Sequence, residues 1–192
     1  MRLRRIVPRI SGVSCASLPG VNLQSDDFEL FGLVQQFAQD RAAIDVSWKK
    51  LQREAHPDKF AAQGVAAQRI AMQWSVRINE AYQRLKDPLK RAAYLCELKG
   101  AAVNAEDNTA MPADFLMQQM AWREGLDDAS SLADVGHINA SVTQARHTVL
   151  LKCEHLIDRD HDFQGAVGQV RALMFIERFA HDVDMRLEQL GQ

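Results

Sequence analysis

No apolar run in this 192-residue chain approaches the roughly 20 residues that a membrane-spanning helix needs. Cysteine is scarce: Cys15, Cys96 and Cys153 are odd in number, far apart and never in a CxxC pair. That argues against a disulfide scaffold or a zinc ribbon and fits a reducing compartment. The chain also lacks G-x-G-x-x-G, a P-loop, a nucleophile elbow and H-E-x-x-H. An enzyme reading therefore has no residue constellation behind it. No run alternates with period two, so the pattern is all-α. Internal repeats and low-complexity tracts are absent as well. The length suits one large or two small domains.

What is present is an uneven charge distribution. The net charge is −2, yet residues 41–91 hold 11 Lys/Arg against 5 Asp/Glu, and residues 104–192 hold 7 against 15. A basic half and an acidic half imply two surfaces with different partners. Basic segments can bind nucleic acid. Here they lack interleaved exposed aromatics or a reading helix, so an acidic protein partner ranks higher, with no nucleic acid and no membrane. Residues 1–25 carry Arg2, Arg4, Arg5 and Arg9 and no acid. That composition fits a transit segment, a disordered basic tail or an unused upstream start. Pro8, Gly12, Pro19 and Gly20 break any amphipathic helix there and favour the last two.

Helical signals follow in order. Asp26 and Asp27 precede a short apolar helix with Phe28, Leu30, Phe31 and Leu33, and both acids are placed to favour its dipole. Asp40 is a good N-cap for a helix whose stripe is Ile44, Trp48, Leu51 and Ala55. Lys49, Lys50 and Arg53 fall off that stripe and are expected to be exposed. A third helix carries Ile70, Trp74, Ile78, Ala81 and Leu85 and stops at Asp87-Pro88. These two helices are expected to pack antiparallel, with Trp48 and Trp74 filling the core between them. A shorter helix, 89–98, ends at Lys99-Gly100, where glycine suits the left-handed cap. Residues 100–111 form a polar linker. Beyond it, Pro112 is placed at the first helical position, and three helices are expected: one from 112, one over about 132–157, one over about 163–190.

His56-Pro57-Asp58 stands where the second helix must end, because proline blocks the helix and restricts the residue before it. An imidazole and a carboxylate are thereby displayed on a short rigid corner. A given tripeptide arises by chance in roughly 2% of chains this long. Alone, it is equally well an ordinary helix stop with solvated polar residues. A second feature is Phe115-Leu116-Met117, three consecutive apolar residues that one helix cannot bury against one neighbour. At least one should be exposed, among acids and Arg123, as at a protein partner site. The run 173–176 puts Phe175 in the same position. Core packing remains an equal alternative for each residue. Cys153, His155, Asp158, Asp160, His161 and Asp162 offer metal-friendly groups. However, Cys153 and His155 point about 200° apart on a helix, and the rest reads as a polar turn. No metal and no cofactor are expected. His137, His147 and His181 are isolated and read as surface or satisfied polar groups.

Read together, these stretches resemble a known family. The basic helix, the His-Pro-Asp corner and the following amphipathic helix resemble a J-domain. More narrowly, Phe28-Glu29-Leu30-Phe31-Gly32-Leu33, His56-Pro57-Asp58-Lys59-Phe60, Ile78-Asn79-Glu80-Ala81-Tyr82, and Asp87-Pro88 with Arg91-Ala92 and Tyr94-Leu95 resemble the HscB co-chaperones. Phe115-Leu116-Met117, Arg123-Glu124 and Leu126-Asp127 resemble that family's C-terminal domain. The resemblance runs from about 27 to 190. It implies an all-α fold: a J-domain over 26–99, built as an antiparallel helical hairpin with an HPD loop, and a three-helix bundle over 112–192. It implies a co-chaperone, not an enzyme. The J-domain would stimulate a DnaK-class ATPase, HscA-like in bacteria, through His56, Pro57, Asp58, Lys49, Lys50 and Arg53. The bundle would bind the iron–sulfur scaffold IscU through Leu116, Met117, Met120, Arg123, Glu124 and Phe175. A J-domain protein with another client, or a helical adaptor with an incidental HPD, stand as alternatives. Ala55 replaces an aromatic common before the histidine, and Ala121 and Gly125 stand where the family's patch has acids. Some eukaryotic relatives carry an N-terminal cysteine cluster, which Cys15 alone cannot reproduce. A bacterial cytoplasm is the expected location, with the mitochondrial matrix as alternative.

Overall fold

The computed structural model describes residues 24–104 and 111–191. Cys15, nearly all of the basic extension and half of the expected linker therefore lie outside the described residues. Among the described residues there are seven α-helices and no strand. The all-α expectation holds.

Helix α1 (Asp27–Phe31) is capped by Asp26, which accepts from the Glu29 N–H, and is stopped by Gly32 at φ 66°. The left-handed φ is one that glycine adopts without steric cost. Asp27 stands in the first turn as expected, and the structure gives it a second role. It is fully buried. Its oxygens meet Arg77 Nη1 at 2.6 Å and Arg84 Nη1 at 3.1 Å, and its N–H donates to the Tyr94 hydroxyl. A buried carboxylate is tolerated only when paired, so Asp27 draws two arginines inward and ties α1 to the next helices.

Helices α2 (Arg41–Glu54) and α3 (Val65–Lys86) form an antiparallel hairpin. The register is read from its cross-links. Arg41 reaches Lys86 O, Asp45 accepts from Tyr82, Trp48 pairs with Asn79, and Gln52 with Ser75 and Asn79. Trp74 fills the core as expected, but Trp48 is only half-buried. Its indole N–H donates to Asn79 Oδ1 at 3.0 Å, and its ring stacks on Tyr82 at 4.7 Å. An indole needs a partner for its N–H, which holds Trp48 at the rim. Helix α4 (Pro88–Leu98) starts on an Asp87 cap with Pro88 in its first turn and ends before Gly100 at φ 78°.

The chain then builds α5 (Ala113–Asp128), α6 (Leu132–Glu154) and α7 (Phe163–Leu190). Pro112 sits at the N-cap of α5, one place before the expected first helical position. Ser131 and Asp134 form a reciprocal capping box on α6, which the sequence reading did not single out. Helix α6 ends at Glu154, short of 157, because His155–Arg159 widens into a π-helical turn. Contacts Phe115–Phe175, Trp122–Phe179 and Ala129–Arg186 rise in step, so α5 and α7 run parallel. Arg146–Glu177 and Trp122–Ser141 place α6 antiparallel to both. Helix α4 packs on α7, and Arg171 donates twice to Val103 O at 2.7 and 2.8 Å. One buried apolar cluster therefore runs from Phe28 to Val183 through both groups of helices.

Candidate partner-docking sites

The first site is made where α2 stops. Ala55 ends the helix and is buried, and its carbonyl accepts from Ser75 Oγ of α3 at 3.3 Å. A small, buried side chain here leaves α3 close to the corner. Pro57 then opens a 3₁₀ segment, Pro57–Gln63. His56 caps it: Nδ1 accepts from the Asp58 N–H at 3.3 Å and lies 3.6 Å from Asp58 Oδ2. The imidazole is thus oriented by the corner, while the Asp58 side chain is 89% exposed. Among the described residues no arginine pairs with it.

Lys49, Lys50 and Arg53 are exposed on the outer face of α2, and none has an ion-pair partner among the described residues. Arg53 Nε donates only to Lys49 O. Unpaired cations on a rigid helix give a positive field next to a fixed carboxylate. Val46 joins them one turn earlier and is 67% exposed. It was not singled out from sequence, although its position opposite the Ile44–Leu51 stripe was the available signal.

The second site is on α5. Phe115 and Trp122 point inward, and Trp122 stacks on Phe179 at 5.8 Å. The opposite face is exposed: Leu116 at 43%, Met117 at 76% and Met120 at 62%. Arg123 and Glu124 complete that face at helical spacing. Phe175 of α7 is half-buried, stands edge-on to Phe115 at 5.8 Å and lies beneath the Arg123 guanidinium at 5.3 Å. The six residues singled out from sequence therefore fall in one apolar patch with a charged rim. Ala121 is exposed nearby. Gly125 faces α6, where an added Cβ would meet Ile138 at 3.5 Å, so it borders the patch from the packed side.

The metal-friendly residues are otherwise engaged. His155 pairs with Asp160 at 2.9 Å, Asp162 caps α7, and Asp158 accepts from two backbone N–H groups. Among the described residues no three His, Cys, Asp or Glu side chains converge as a metal site. Cys96 and Cys153 are buried, and desolvation first of all pushes their thiol pKa values up to about 11 and about 12. No described helix is long and apolar enough to cross a membrane.

Comparison with known proteins places this architecture. Residues 111–184 match the family described as the HSCB C-terminal oligomerisation domain. The Co-chaperone protein HscB homolog of Burkholderia thailandensis is 47% identical over 173 residues, covering 88% of this chain and 98% of that protein. That of Burkholderia cenocepacia is equally similar over the same shares. Among solved structures, chaperone HscB from Vibrio cholerae is 33% identical with a TM-score of 0.74, over 86% of this chain and 99% of that one. Human co-chaperone protein HscB has a TM-score of 0.82 at 24% identity, over 94% and 91%, and speaks for the fold alone. The same two groups of helices, shared at close to half identity along nearly the full length of bacterial relatives, mean that this chain belongs to the HscB family of co-chaperones.

Proposed function

We propose that this chain stimulates the ATPase of a DnaK-class chaperone, HscA-like, and delivers the iron–sulfur scaffold IscU to it, aiding maturation of iron–sulfur proteins. The observation that carries this reading is the His56-Pro57-Asp58 corner: an exposed carboxylate on a braced turn, beside cations with no ion-pair partner among the described residues. The cations steer an acidic ATPase surface and raise the association rate. The Asp58 carboxylate is free to pair bidentately with an arginine of the partner. The chain hydrolyses nothing itself. It favours the partner's hydrolysis-competent state by binding that state better.

In this reading residues 26–99 are the J-domain, 100–111 the linker and 112–192 the scaffold-binding bundle. His56, Pro57, Asp58, Lys49, Lys50 and Arg53 meet the ATPase, and Val46 adds an apolar anchor amid the charges. Leu116, Met117, Met120, Arg123, Glu124 and Phe175 meet the scaffold. The reading sets the protein in a bacterial cytoplasm. The test is steady-state ATPase activity of the chaperone with this chain and IscU, added separately and together. More-than-additive stimulation supports both assignments. Stimulation by the chain without any effect of IscU would point to a different client, and no stimulation at all would reduce the corner to a helix stop.

A further inference from the structure

Residues 32–40 join α1 to α2, and Phe37 in this loop is held from two directions. Phe37 is buried. Its N–H donates to Asp158 Oδ1 at 2.6 Å, and the Ala38 N–H donates to Asp158 Oδ2 at 2.8 Å. Its carbonyl accepts from Arg91 Nε at 2.8 Å, and the Arg91 guanidinium lies over its ring, 5.2 Å from the centroid. Arg91 is itself buried and also donates to Leu85 O. Burial pulls the guanidinium pKa down, while the carboxylates of Asp87 and Asp158 act against that. Asp158 reaches this loop from the π-helical turn between α6 and α7, 121 residues beyond Phe37. Two residues after Ala38, Asp40 caps α2. The C-terminal bundle thus grips the chain directly before the basic helix begins.

We propose that Asp158 is a positioning residue: with Arg91 it locks the start of α2 to the C-terminal bundle and so fixes the span between the two docking faces. The proposal rests on the two-site reading above. A carboxylate that takes two adjacent N–H groups has one geometry, unlike a sliding apolar contact. The packing of α4 on α7 holds the two groups of helices together, whereas Asp158 reaches the loop that leads directly into α2. A client and an ATPase bound to one chain engage each other efficiently only at a suitable span, and a loose joint dilutes one against the other.

The test compares Asp158→Asn with the parent chain at full length. The asparagine has nearly the same shape, but its amide sets a donor against a backbone donor. Spin labels at Ala42→Cys and His181→Cys, in a Cys15→Ser background, report the span, since Cys96 and Cys153 are buried. We expect a broadened distance distribution. In unlabelled protein, stimulation by the chain alone and IscU affinity stay within about twofold, while the synergy of the two falls about tenfold. Asp158→Glu, which keeps both acceptors, should recover part of the synergy and serves as the second variant if Asp158→Asn loses helicity. An unchanged distance distribution overturns the proposal. A broadened one with full synergy overturns its functional half. If the parent chain shows no stimulation, the two-partner reading fails, and the distance measurement still decides the lock.

Discussion

Met117 separates an interface from a core more sharply than any other residue. Its side chain is 76% exposed on α5, next to Met120 and Leu116. Fully burying a methionine side chain is worth about 1.5–3 kcal/mol. Three quarters of that is still available for a partner, so Met117→Ala should weaken scaffold binding by about 1–2 kcal/mol, or roughly 5- to 30-fold in Kd. Folding should hardly change. Exposed substitutions stay within about 0.5 kcal/mol, which moves the melting temperature of a chain this size by no more than about 2 °C. Were Met117 a core residue, truncation would cost about 2–5 kcal/mol and lower the melting point by many degrees. Calorimetric titration of IscU, thermal melts and ATPase stimulation by the chain alone give the three readouts. A melting point more than about 5 °C lower, or an unchanged affinity, would refute the reasoning.

Other consequences can be checked directly. His56→Gln should abolish ATPase stimulation while leaving scaffold binding and the melting point intact, because the imidazole is largely exposed and caps only a 3₁₀ turn; retained stimulation would sink the corner's role. Raising salt should slow association with the ATPase, and Lys49→Glu with Lys50→Glu should flatten that dependence in stopped-flow rates. Asp27→Asn leaves two arginines without their buried counter-charge. Discounted for the partial exposure of Arg77 and Arg84, it should cost about 2–4 kcal/mol in urea unfolding, and a loss under about 1 kcal/mol would contradict the pairing. Hydrogen bonds from Ser131 first, then from the Ser130 and Ser131 backbone, hold the Asp134 carboxyl below its usual range. That support is present above the unfolded carboxylate value and is lost as pH falls through the folded one. The stability gap between parent and Ser131→Ala should therefore narrow on acidification in pH-resolved unfolding, down to the part from the Asp134 N–H cap bond, and a gap that widens would contradict it.

Periodicity, caps and breakers along the chain were enough for the helices. Each is a local preference: the Ile44–Leu51 stripe, Asp40 as N-cap, the stop at Asp87-Pro88, Gly100 at left-handed φ. The proposed docking residues were legible for a related reason. A proline corner stands out in any sequence, cations off an apolar stripe must face water, and three apolar residues in a row cannot all be buried. Side-chain direction on a helix follows from sequence spacing alone.

What local pattern could not supply is where distant polar groups find partners. Asp27 looked like an ordinary first-turn acid, and only the approach of α3 brings Arg77 and Arg84 onto it. Trp48 stood on the core stripe, yet its N–H sent it to the rim beside Asn79. Asp158 looked like part of a polar turn until folding set it against Phe37 and Ala38. By itself the sequence determined an all-α chain with an exposed His-Pro-Asp corner, a basic helix face and an apolar patch on the acidic half. The tertiary structure alone decided which buried charges are paired and how the two halves are joined. Hydrogen bonds and ion pairs between residues 31 to 121 positions apart depend on the packed geometry, which no window along the chain contains.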